Sequence, residues 1–120
     1  MTKVLLIEDD AWLADIERAV LKAEGYSVRH VTNGQAAMDS IDVFRPDVII
    51  LDVLLDGHTA FTLLHELRSY KDTSSVPVVL CTNLAETFPA KTLDEYGVKR
   101  VVDKTTMHPS DIVGAIRAVL

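Results

Sequence analysis

Acids, a hydroxyl and an amine close the apolar runs of this 120-residue chain. KVLLIE (3–8) ends in Glu8, with Asp9 and Asp10 directly after it, and DVIILD (47–52) ends in Asp52. VPVVLCT (76–82) ends in Thr82, and VKRVVDK (98–104) ends in Lys104. One carboxylate after a strand is ordinarily a helix cap or a loop residue. Several such groups, each at the end of a different strand, are much harder to explain that way. Glu8, Asp9 and Asp52 within a few ångströms of one another would repel unless a cation intervened. Hard oxygen donors select Mg²⁺, with Mn²⁺ as its substitute, over zinc or copper. A cation of that kind keeps positions open for a phosphate oxygen. An aspartate can attack phosphorus and form an acyl phosphate, a transfer that needs in-line positioning and cationic or hydroxyl partners for the phosphoryl oxygens. Asp52 is the expected nucleophile, since apolar residues flank it on a central strand. Lys104 would neutralise one phosphoryl oxygen and Thr82 would hydrogen-bond another.

This chemistry requires the strand ends to converge. Five runs rich in Val, Ile and Leu read as strands: the four above and YSVRHV (26–31). The four lack strict alternation, as expected where a parallel sheet is covered on both faces. YSVRHV alternates more and is expected at an edge. Helical periods fill the intervals. The expected buried stripes are Leu13, Ile16, Val20 and Ala23; Ala37, Ile41 and Phe44; Phe61, Leu63, Leu64 and Leu67; and Ile112, Ile116, Val119 and Leu120. The fourth helix is the weakest and is expected to start near Pro89. Gly25 and Gly97 read as C-terminal caps, and His108-Pro109-Ser110-Asp111 as a helix start with proline first and an acid in the first turn. Asp72 to Ser75 reads as a polar loop. Strands alternating with helices imply an α/β fold with right-handed crossovers, whose ligands bind at the carboxyl ends of the strands.

Length and composition agree with one domain over 1–120, since compact domains run to roughly 100–200 residues. With 48% hydrophobic and 25% charged residues the chain is ordinary globular material. Twelve basic against 18 acidic residues give a net charge of −6, which argues against direct nucleic-acid binding by this domain. A single cysteine, Cys81, excludes an internal disulfide and suits a reducing cytosol, so a cytoplasmic location is expected. No apolar run approaches the ~20 residues of a membrane helix, and no signal-peptide pattern follows Met1.

Over essentially the whole of 1–120 the sequence resembles the receiver domain of bacterial two-component response regulators. The acidic pair matches Glu8 and Asp9, with Asp10 opening the first helix. The phosphoacceptor matches Asp52 in PDVIILDVLLDG, the switch hydroxyl Thr82 in VPVVLCTN, and the lysine Lys104 in VKRVVDK. The resemblance implies a flavodoxin-like, doubly wound (βα)5 three-layer sandwich with a five-stranded parallel sheet in the order 2-1-3-4-5. It implies Mg²⁺ held by Glu8, Asp9, Asp52 and the backbone carbonyl of Leu54. It implies a histidine kinase or histidine phosphotransfer protein as phosphoryl donor. Output, including a homodimer, would pass through the face of the fourth helix, fifth strand and fifth helix. Such a phosphorelay component catalyses only its own phosphorylation and dephosphorylation.

The sequence also departs from that pattern. Asp56 replaces the proline usual four residues after the phosphoacceptor, and Thr59-Ala60 replaces an acidic-glycine pair. Thr105 replaces the proline after the lysine. Val101 stands where an aromatic usually swings inward, and Asn83 where a small residue is usual. The chemistry of phosphorylation is therefore expected intact, and the hydroxyl–aromatic relay is not.

Two competing readings come from other classes. A pseudo-receiver, motivated by the missing aromatic and both missing prolines, would signal by protein contacts alone. Retention of Glu8, Asp9, Asp52, Thr82 and Lys104 together argues against it, because a module freed from the chemistry has no physical need for buried like charges. A metal-dependent phosphatase of similar build would show two acids separated by one residue after a strand, which Asp52-Val53-Leu54 fails. No glycine-rich phosphate loop supports flavin or dinucleotide binding. His58 reads as a solvated loop residue, Trp12 as equally suited to the site mouth or to partial burial, and Cys81 as a buried structural thiol. Lys99 and Arg100 suit a partner surface or a solvated edge equally.

Overall fold

The computed structural model describes residues 1–52, 57–69, 75–82, 90–104 and 108–120, with the side chains of 52, 57–61 and 90 outside that description. Strands and helices alternate: β1 (Lys3–Ile7), α1 (Ala11–Ala23), β2 (Ser27–Val31), α2 (Gly34–Phe44), β3 (Val48–Asp52), α3 (Gly57–Ser69), β4 (Val78–Thr82), α4 (Ala90–Glu95), β5 (Val98–Asp103) and α5 (Pro109–Val119). All pairings are parallel and the order is β2-β1-β3-β4-β5. This is the expected doubly wound sheet, and the alternating segment 26–31 does supply an edge strand.

The apolar runs make sense once both faces are covered. Leu5, Ile7, Ile49, Leu51, Val78 and Leu80 pack with Ala37 and Ile41 of α2, Leu63, Leu64 and Leu67 of α3, and Leu93 of α4. The alternate residues Val4, Leu6, Val48, Ile50, Val79 and Cys81 pack with Ala14 and Leu21 of α1 and with Ile112, Val113, Ala115 and Ile116 of α5. Burying a large aliphatic side chain of this kind contributes about 1.5–3 kcal/mol, so two layers of helix fix the sheet's position from both sides.

The first helix corrects the expected stripe. Its buried residues are Ala14, Glu17 and Leu21, while Leu13, Ile16 and Val20 are half-buried and Ala23 is exposed. The stripe is displaced by one residue because its middle position is a carboxylate, which an apolar periodicity passes over. In α5, Val113 and Ala115 join Ile112 and Ile116 in the core, whereas Leu120 is exposed.

Helix boundaries follow local chemistry. Gly25 (φ +88°) and Gly97 (φ +79°) take up the left-handed conformation after α1 and α4, where a side chain would be strained. Pro109 occupies the first turn of α5 with Asp111 behind it, and the Asp111 carboxylate accepts the His108 N–H at 2.9 Å. The expected α4 start at Pro89 and most of the loop 72–75 lie outside the described residues. Among the described residues no helix is long and apolar enough to cross a membrane.

Candidate functional site

The register carries the strand-end residues to one level. Ile7 pairs with Leu51, so the next step along both strands sets Glu8 beside Asp52. Asp52 pairs with Cys81, and Thr82 with Asp103. Beyond the ladder, the Lys104 N–H donates to the Thr82 carbonyl at 3.0 Å. Glu8, Asp52, Thr82 and Lys104 therefore stand at the carboxyl edge of the sheet.

The three consecutive acids have three different environments. Glu8 is fully buried. Its N–H donates to the Val31 carbonyl at 3.0 Å, and its Oε1 accepts the Asp10 N–H at 2.9 Å. Asp9 is exposed. Asp10 caps α1: one carboxylate oxygen accepts the N–H groups of Trp12 at 3.0 Å and Leu13 at 3.1 Å. These are donors that a helix start cannot satisfy internally.

Lys104 Nζ lies 3.9 Å from Glu8 Oε2, with the two side chains 8% and 0% exposed. Strands β3 and β4 lie between β1 and β5, a lateral separation of about 14 Å at the usual strand spacing. The two side chains close that gap by reaching toward each other across the ends of the intervening strands. Their separation exceeds hydrogen-bond length, so the attraction is Coulombic, in surroundings where charge interacts more strongly than in water. Thr82, at the end of β4, is buried as well.

The donors fit a hard divalent cation. Glu8 and Asp9 supply carboxylate oxygens beside the end of the strand carrying Asp52, and neither sulfur nor imidazole is among the expected ligands. Among the described residues no cluster of three His, Cys, Asp or Glu side chains stands ready to hold a metal. The Asp52 side chain and Leu54 lie outside that description, as do Asp56, Asn83 and Thr105 and the side chains of His58, Thr59 and Ala60.

Other expectations resolve simply. Trp12 is 74% exposed and Cys81 is buried. Lys99 and Arg100 are exposed on the edge strand β5, with Lys99 Nζ 3.9 Å from Asp94. Val101 packs against the core layer beneath α2, α3 and α4. Two features escaped the sequence: the buried Glu17, and His30, whose ring reaches the Glu8 carbonyl. A polar residue near the end of the strand beside the acids was the one available signal for His30. A groove of about 470 Å³ lined by Ile41, Asp42, Arg45, Pro46 and Val76 lies toward the amino ends of β3 and β4, away from the acids.

Comparison with known proteins points the same way. The DNA-binding response regulator MtrA of Mycobacterium tuberculosis is 30% identical over 118 residues, covering 98% of this chain and 50% of MtrA. The sensory transduction protein RegX3 of the same organism is 33% identical over 120 residues, covering 100% of this chain and 51% of RegX3. The chain thus spans about half the length of the curated relatives it matches. The receiver domain of sensor histidine kinase PA1611 from Pseudomonas aeruginosa, solved with magnesium coordinated in its active-site cleft, superposes with a TM-score of 0.81 at 22% identity, covering 98% of this chain and 95% of that one. The model of the response regulator receiver domain family matches residues 4–117. Strand order, the acids after β1, the aspartate ending β3 and the lysine after β5 all fall within that span, and the chain belongs to the response regulator receiver domain family.

Proposed function

We propose that this chain is a phosphorylation-dependent signalling switch in which Asp52 accepts a phosphoryl group from a histidine kinase or a histidine phosphotransfer protein. A carboxylate oxygen of Asp52 attacks phosphorus as the bond from phosphorus to the donor imidazole breaks. The product is an aspartyl phosphate, and water later hydrolyses it. Glu8, Asp9, Asp52 and the carbonyl of Leu54 would hold Mg²⁺, or Mn²⁺ in its place. When bound, the cation offsets the negative charge on the transferring group.

The observation that carries this reading is the buried Glu8–Lys104 pair, which brings an ammonium over the strand ends where Asp52 and Thr82 stand. Lys104 can exchange its carboxylate partner for a phosphoryl oxygen, and Thr82 offers a hydroxyl to another. The reaction modifies the protein itself and turns over no external metabolite. Output through the face formed by α4, β5 and α5, by a partner or a second copy, belongs to the same proposal, as does a cytoplasmic location.

A phosphorylation-independent interaction module is the second reading. It is favoured by Val101, whose aliphatic side chain packs against the core with no ring to relay a change at Thr82. The two separate when the chain is incubated with Mg²⁺ and a small acyl- or amidophosphate, followed by intact mass measurement. The switch predicts one added phosphoryl group on the wild type and none on Asp52→Asn. An unlabelled wild type, or equal labelling of the variant, overturns it.

A further inference from the structure

Glu8 is the last residue of β1's run to be held by β2, and a side chain completes the holding. Its N–H donates to the Val31 carbonyl at 3.0 Å, continuing the ladder. A parallel ladder would next bring the N–H of Asn33 to the Glu8 carbonyl. Asn33 has instead left the strand to cap α2, accepting the Ala36 N–H at 2.8 Å through its side chain. The ring of His30 takes the missing donor's place, with Nε2 2.7 Å from the Glu8 oxygen. A carbonyl can only accept, so Nε2 carries the hydrogen.

This contact fixes the peptide that joins Glu8 to Asp9. The C=O and N–H of a trans peptide point in opposite directions. A carbonyl held toward β2 therefore sends the Asp9 N–H away from β2, and β1 lies between β2 and β3 in the sheet. Without the ring, that peptide loses this hold on ψ of Glu8 and φ of Asp9, and with it part of what sets the origin of the Asp9 carboxylate.

We propose that His30 is a positioning residue for the acidic loop, its Nε2–H holding the Glu8–Asp9 peptide so that Asp9 is set to receive a divalent cation. This rests on the metal-dependent reading above. The expected size is that of other groups that orient metal ligands, whose loss weakens affinity about 10–100-fold.

The test is calorimetric titration of the whole chain with Mg²⁺ alone, for wild type, His30→Phe and His30→Gln, with melting temperatures measured in metal-free buffer. Phenylalanine keeps a ring and loses the donor; glutamine keeps a donor. The expected result is weakened affinity in His30→Phe, recovery of most of it in His30→Gln, and similar melting temperatures. Wild-type affinity in His30→Phe overturns the proposal and leaves the phosphoryl-transfer reading standing. Equal weakening in both variants, in step with lowered melting temperatures, shows a purely structural role and overturns it too. Should His30→Phe not fold, the imidazole ¹⁵N shifts of the wild type decide: hydrogen on Nε2 supports the proposal, and hydrogen on Nδ1 alone overturns it. A wild type with no Mg²⁺ affinity sinks the metal-dependent reading and this one with it.

Discussion

Lys104 Nζ stands 3.9 Å from Glu8 Oε2, although two strands separate the strands that deliver them. Both side chains are almost wholly withdrawn from solvent, so each charge depends on neighbours rather than on water. Removing one member of a buried pair typically costs about 3–5 kcal/mol, because the other is left behind. Lys104→Met is therefore expected to lower the stability of the metal-free protein by about 3 kcal/mol. Glu8→Gln made with it should recover part of that loss, with a coupling of about 0.5–3 kcal/mol from a double-mutant cycle in urea. Strict additivity would show that the two charges do not interact.

Asp10 is separated from its acidic neighbours by what it does. Its carboxylate accepts two N–H groups at the start of α1. Asp10→Ala is expected to cost about 1 kcal/mol in denaturant unfolding, with Asp10→Asn or Asp10→Ser close to wild type. An unchanged midpoint for the alanine variant would remove the capping role.

The two left-handed glycines offer a contrast in cause. A Cβ at Gly25 would meet nothing within 4 Å, and one at Gly97 would meet Arg68 Cδ at 3.6 Å, an ordinary contact. Any penalty on substitution is then backbone strain. Gly25→Ala and Gly97→Ala should each destabilise by about 1–2 kcal/mol, and asparagine should cost less than alanine at both. A penalty at Gly97 alone would point to crowding instead.

Leu64 is fully buried against the sheet, whereas Trp12 is 74% exposed. Leu64→Ala is expected to lose about 2–5 kcal/mol, and Trp12→Ala to stay within about 0.5 kcal/mol of wild type. Thermal melts of the two variants measure both, and a large loss at Trp12 would reveal packing that its exposure denies.

Periodicity and strand-end chemistry were enough to read the architecture. Apolar runs without alternation can be stable only when covered on both faces, so the parallel α/β sheet was legible in VIIL and VVLC, and the edge position of β2 in its more alternating pattern. Glycine and proline mark backbone angles that other residues adopt poorly, so the caps at Gly25 and Gly97 and the start of α5 were legible too. Glu8, Asp9, Thr82 and Lys104 could be placed at the sheet's carboxyl edge because strand ends are set by local pattern. The resemblance supplied the strand order, which no local pattern contains.

Contacts between distant segments followed a different logic. Glu17 lies in the core of α1 although its charge argued for solvent, since burial depends on what the opposing elements leave to be filled. The His30 ring meets the Glu8 carbonyl only because β1 and β2 pair in one register and the chain then turns away at Asn33. Asp10's place at the start of α1 came with the resemblance. Which of Glu8 and Asp9 would be buried and which exposed was decided by packing, since neighbouring residues of one chemical type differ only in the surroundings the fold gives them.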